Sequence, residues 1–233
     1  MSFGADGMKY VFFDSSSIIS LTQTNMLFLL EKLKSKEIKF CISKAVYDEI
    51  ILPGQENCQF GWSSEQIKAT IDSGLLEVFN LEEKEQKDYD LVDEQVNSIF
   101  STKFGPIQIL QKGELETIIL LKRFKEKKLF SIDELITREI IDDPRKLKDI
   151  VERRYKTQLF LDEKKLKQFV DYVFDIKVVR SVDLVAYSFG RNLFAKYNTK
   201  SEHLLKSLLY ALKDSGCAVL HEEIDRYAAE HNN

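Results

Sequence analysis

The chain has 233 residues, 44% hydrophobic and 31% charged, with a net charge of −4. That balance excludes a disordered polymer and a generally basic nucleic-acid coat protein, and it fits one large globular domain or one domain with an insertion. The three cysteines, Cys41, Cys58 and Cys217, are widely spaced and make no CxxC pair, so neither a disulfide framework nor a zinc knuckle is indicated. No apolar run reaches transmembrane length, and MSFGADGMKY lacks the apolar core of a signal peptide. The expectation is a cytoplasmic protein with residues 1–8 as a flexible leader.

In chain order, Lys9 to Phe13 (KYVFF) predicts a short strand stopped by Asp14. Ser15-Ser16-Ser17 then opens a helix whose apolar residues run from Ile18 and Leu21 through Met26 to Leu33. Asp14 fits two roles here, helix N-cap and reactive acid. Ile38 to Ile42 predicts a second strand. Ser43 caps the next helix, whose stripe is Val46, Ile50 and Ile51, with Glu49 at the rim. Pro53-Gly54 is expected to end that helix, and residues 55–62 read as a loop in which Trp62 is a core or loop anchor. A helix from Ser63 to Asp72, a third strand from Leu75 to Leu81 and an acidic amphipathic helix from Glu82 to Phe100 follow. Gly105-Pro106 then breaks the chain.

The stretch from Lys112 to Glu139 organises the reading. Gly113 starts a helix, and Glu114 and Glu116 fill a first turn where the dipole favours negative charge. Ile118 to Leu121 is its apolar centre, and the cations Lys122, Arg123, Lys125, Lys127 and Lys128 suit the segment that leaves it. Leu129 to Ile132 predicts a buried strand ending on Asp133. A short helix with Ile136 and Arg138 runs to Asp142-Asp143-Pro144. Residues 145–175 read as two helices rich in Lys and Arg, Arg153 and Arg154 among them, with interleaved aromatics. Those cations are either a solvated face or a guide for a phosphate backbone. Ile176 to Val179 is a last strand, and helices over Val182–Phe194, Glu202–Lys213 and Glu222–Glu230 complete the chain.

Strand and helix alternate, which predicts an α/β fold with a mostly parallel sheet of about five strands. No GxGxxG, GxxxxGK[ST] or GxSxG motif occurs, and all three histidines fall near the C-terminus. What remains is acids at strand ends and helix starts: Asp14, Glu49, Glu114 and Asp133. Carboxylates brought together raise one another's pKa unless a cation neutralises them. Oxygen-only ligands select hard divalent ions, Mg²⁺ or Mn²⁺, and such a site suits phosphodiester cleavage.

The order VFFDSSSII, ISKAVYDEI, GELETIILL and LFSIDELITREI resembles the PIN-domain family, especially its stand-alone archaeal and bacterial members. The resemblance covers residues 9–141 and resumes more weakly over 176–225. It implies a three-layer α/β/α sandwich over 9–225, within which residues 142–175 read as an inserted helical hairpin without a counterpart in the family, with 226–233 expected as a C-terminal tail. It also implies a metal-dependent endoribonuclease, toxin-like or RNA-processing. Asp14, Glu49, Glu114 and Asp133 would be its metal-binding and catalytic acids, with Glu114 preferred over Glu116 because it directly follows the glycine. Ser16, Glu134 and Arg138 would support them. RNA would approach along Lys122, Arg123, Lys125, Lys127 and Lys128, or Arg153 and Arg154. A second copy of the chain or an antitoxin is the protein partner that the resemblance suggests. Two other readings stay open: a PIN-like module that holds RNA or protein without cutting, and a structural subunit whose acids are helix caps.

Overall fold

A computed structural model describes residues 9–34, 38–125, 127–197 and 202–230. The leader at 1–8 and the end of the tail at 231–233 lie outside these residues. In chain order the first half comprises β1 (Lys9–Phe13), α1 (Ser15–Gln23), α2 (Phe28–Leu33), β2 (Ile38–Ser43), α3 (Lys44–Glu56), α4 (Cys58–Asp72), β3 (Leu76–Phe79), α5 (Glu83–Val96), β4 (Phe100–Thr102) and β5 (Gly105–Pro106). The second half comprises α6 (Lys112–Arg123), β6 (Lys127–Ser131), α7 (Leu135–Asp142), α8 (Leu147–Tyr155), β7 (Phe160–Leu161), α9 (Glu163–Val173), β8 (Lys177–Val179), α10 (Ser181–Gly190), α11 (Glu202–Asp214) and α12 (His221–Glu230).

Five strands form a parallel sheet in the order β3-β2-β1-β6-β8, with Val11 of β1 opposite Phe40 and Leu129. The inner strands are apolar on both faces because both faces are covered. Val11, Phe13, Phe40 and Ile42 pack with residues of α1–α4 and α10–α12. Phe12, Cys41, Phe130 and Ile132 pack with residues of α5–α9 on the other side. The result is the α/β/α sandwich that the alternation of elements predicts. Among the described residues no helix is long and apolar enough to cross a membrane.

Local departures have physical causes. The helix expected from Ser15 to Leu33 is broken after Gln23, where Asn25 takes a left-handed φ of 56°. The hydroxyls of Ser20, Thr22 and Thr24 donate back to carbonyls one turn earlier, which competes with straight helix. The loop at 55–62 does not form: α3 runs through Pro53 to Glu56 and α4 begins at Cys58. A Cβ on Gly61 would lie 3.3 Å from the Gly54 carbonyl, so these glycines serve the close approach of α3 and α4. Trp62 is therefore no core anchor; it stands 72% exposed on α4. The insertion is more than a helical hairpin, because β7 pairs antiparallel with β4 in a small sheet ordered β5-β4-β7. Leu159 and Phe169 bury themselves in the same cluster as Ile99 and Phe100, which draws the insertion into the main core. Residues 226–230 are the second half of α12, anchored by the fully buried Ala228, and not a tail.

Candidate active site

Parallel strands bring their C-terminal ends, and the helix starts that follow them, to one edge of the sheet. Asp14 leaves β1 at that edge. Its Oδ2 accepts hydrogen bonds from the Ser16 amide at 3.0 Å and the Ser16 hydroxyl at 2.7 Å, so it does cap α1. It is also only 3% exposed. Burial pushes its carboxyl up to about 6 against the pull of Ser16, and the charge of Glu49 adds to the rise.

Glu114 sits in the first turn of α6, 5% exposed. Its Oε2 accepts from the Gln111 amide at 2.7 Å, closing a capping box, and its Oε1 accepts from the Thr137 hydroxyl at 2.7 Å. Burial pushes it up to about 8, and the charges of Asp14 and Glu134 push the same way. Glu134 caps α7 through the Thr137 amide at 2.9 Å, and its other oxygen pairs with Arg154 of α8. Thr137 thus ties Glu114 and Glu134 together. Glu49 is exposed on α3, and its Oε1 accepts from the Gly113 amide at 2.9 Å. A Cβ at position 113 would stand 2.7 and 2.8 Å from the two Glu49 oxygens. The glycine that opens the GELE stretch is there because α3 and this carboxylate lie against it.

Asp133 is turned elsewhere. It is fully buried, and its two oxygens accept from the Ser181 amide at 2.8 Å and the Ser181 hydroxyl at 2.6 Å, at the start of α10. Its own amide donates to the Ser16 hydroxyl at 3.1 Å, so Ser16 bridges the β1 and β6 ends. Glu116 caps α3 through the Ala45 amide at 3.3 Å. Arg138 donates to the Ala218 carbonyl at 3.0 Å and pairs with Glu139 at 3.6 Å. Of the expected RNA-guiding cations, Lys122 and Lys128 pair with Asp175 and Arg123 with Glu85. That run joins the end of α6 to the start of β6, so it lies at the opposite edge of the sheet from Asp14. Arg153 donates to the Asp149 carbonyl within its own helix at 3.0 Å. The supporting place expected of Glu134 goes with a cap: it stands three residues before Thr137, whose amide it accepts from.

A PIN-domain family model matches residues 10–143. The chain belongs to the PIN-domain family. No curated protein and no solved structure shows significant similarity to it. The match runs from β1 to the end of α7 and takes in Asp14, Glu49, Glu114, Asp133 and Glu134, whereas Arg154 falls outside it. A PIN domain carries a nuclease-like fold, and the acids of this one stand where its parallel strands end. Their donor chemistry, carboxylate oxygen only with Asp14, Glu114 and Asp133 desolvated, fits a hard divalent cation. Among the described residues no three acidic, histidine or cysteine side chains close round a single point as they stand.

Proposed function

We propose that this PIN domain is a Mg²⁺- or Mn²⁺-dependent endoribonuclease, with Asp14, Glu49, Glu114 and Glu134 as its metal-holding acids. The observation that carries this reading is the pair Asp14 and Glu114. Both are buried, both are pushed well above the ordinary carboxylate range, and the charges raising them belong to other acids. Crowded, desolvated carboxylates cost stability unless a cation completes them. Asp14 is held by Ser16 and Glu114 by Gln111 and Thr137, which fixes both side chains at the acid edge. When bound, a divalent ion would activate water and stabilise the leaving oxygen of a phosphodiester. Arg154, which pairs with Glu134, supplies a cation able to exchange onto a substrate phosphate. Asp133 is given a positioning duty in this reading, since its carboxylate holds α10 to the end of β6.

A second reading, a PIN domain that holds RNA without cutting it, is favoured by the lack of a closed chelating group among the described residues. One experiment separates the two. Labelled single-stranded RNA is incubated with the protein in Mn²⁺, in Mg²⁺ and in EDTA, while the unfolding midpoint is followed in the same buffers. Cutting with metal and none with EDTA supports the nuclease. A metal-induced rise in midpoint with intact RNA across several sequences supports the binding module.

A further inference from the structure

We infer that the small sheet β5-β4-β7 is a docking surface for the unpaired bases of an RNA strand, with Phe104 and Phe160 as its stacking rings. This deepens the ribonuclease reading and rests on it for the direction in which the strand runs. The register decides which residues share the outer face. Phe100 stands opposite Leu161, and both pack into the core beneath. Ser101 stands opposite Phe160 on one side and Pro106 on the other, so that row faces away from the core. Phe160 is 65% exposed, and Pro106 is exposed beside it. Phe104 lies in the turn from β4 to β5 and is 88% exposed. That turn is held in place: the Thr102 hydroxyl accepts from the Phe104 amide at 3.0 Å, and Gly105 takes a φ of 129° that only glycine adopts readily.

Charge and continuity with the acids indicate what covers these rings. Lys103 Nζ lies 4.9 Å from the centre of the Phe104 ring, a cation set beside a ring as a nucleotide sets a phosphate beside a base. Arg153, Arg154 and Lys156 stand exposed at the end of α8, just before β7. Asp162, which follows β7, is taken up in capping α9 through the Lys165 amide at 3.0 Å. Both chain segments that leave the sheet run to the acid edge. From Phe104 the chain reaches Gln111, whose amide donates to Glu114, and back from Phe160 it reaches Arg154, which pairs with Glu134. The Tyr155 hydroxyl donates to the Gln108 carbonyl at 3.0 Å and ties the two segments together. By chain length the rings lie within about 25 Å of Gln111 and Arg154. Rings accept any unpaired base and cations accept the phosphates between them, whereas a duplex keeps its bases stacked on one another. A protein partner would be met by an apolar centre depleted in charge, and here cations and rings alternate.

A labelled, unstructured oligouridylate is titrated with the full-length chain in EDTA and followed by fluorescence anisotropy, so that binding is read without cutting. Saturable binding is expected, weaker by about tenfold or more for duplex RNA and for an abasic strand of the same charge. Phe104→Ala and Phe160→Ala, both at exposed positions, should each weaken the single strand by about tenfold and leave the abasic strand unchanged. Phe104→Trp should keep the affinity and Phe104→Leu should lose it, because a ring is required and not apolar area alone. The unfolding midpoint of each variant shows that it is folded. Parent affinity in both alanine variants, equal binding of the duplex or the abasic strand, or no binding of the single strand would each overturn the proposal. So would a dimer in sedimentation that Phe104→Ala makes monomeric, which would give the face to a second copy of the chain. Cutting is read separately. Binding with these signatures but no cleavage in Mn²⁺ would keep the stacking surface and sink the nuclease, whereas cleavage with an affinity indifferent to both rings would do the reverse.

Discussion

Asp133 and Glu134 are consecutive, yet their carboxylates go to different helices: Asp133 to Ser181 at the start of α10, Glu134 to Thr137 and Arg154. Removing the first should loosen the fold. Asp133→Ala leaves the Ser181 amide and hydroxyl without their partner in a fully buried place, at a cost of about 2–4 kcal/mol in urea unfolding. Wild-type stability in that variant would remove its positioning duty. Asp14→Asn takes away a desolvated charge that other acids repel, so the metal-free protein should be as stable as the parent or more so. The same crowding sets a pH dependence. Asp14 rises to about 6 and Glu114 to about 8 on folding, so between the ordinary carboxylate range and about pH 8 the native state holds more protons than the unfolded state. Stability of the metal-free protein then falls as pH rises through that window, by on the order of a few kcal/mol. Urea midpoints at acid and at mildly alkaline pH measure it, and saturating Mn²⁺ should flatten the slope. Gly113→Ala tests the contact beneath: the added methyl meets Glu49 and Val46 at 2.7–2.9 Å, so the variant should lose about 1–3 kcal/mol and shift Glu49. The placing of Asp14 and Glu114 at one sheet edge is legible in the sequence because a strand end and a helix start mark them. The different hydrogen-bond partners of Asp133 and Glu134 are not. Which way each side chain leaves the strand is decided by Ser181, 48 residues further on.

The parallel strands are legible because each is a short apolar run bounded by polar or turn residues, buried on both faces. The small sheet is not, since β4, β5 and β7 are two or three residues long and Phe100 finds Leu161 only after the chain has passed through β6. Nothing in a two-residue strand carries a period to read. The same pairing decides what the 142–175 segment is. Were it an appendage, it would melt by itself. Phe169 of α9 is instead buried in the cluster that holds Phe12 and Phe130 of the central sheet. Phe169→Ala should therefore lower the stability of the whole chain by about 3–5 kcal/mol in one cooperative transition. An early, separate transition, with the sheet unfolding as in the parent, would show an independent unit.

Across the whole molecule, the parallel sheet separates charges by sense of direction. Strand ends gather Asp14 and, through the helices that follow, Glu49, Glu114 and Glu134. Towards the strand starts lie Lys9 and the Lys122–Lys128 run, of which Lys122 and Lys128 pair with Asp175 and Arg123 with Glu85. A net charge of −4 could say nothing about this polarity, which exists only once the strands are aligned. The nuclease reading depends on the acid edge, and its most direct test is the metal-dependent rate of RNA cutting by Asp14→Asn and Glu114→Gln beside the parent. Each variant must first be shown folded by its unfolding midpoint. The account predicts a drop of about a hundredfold or more for both, with midpoints at or above that of the parent. Cutting near the parent rate by either folded variant would contradict it.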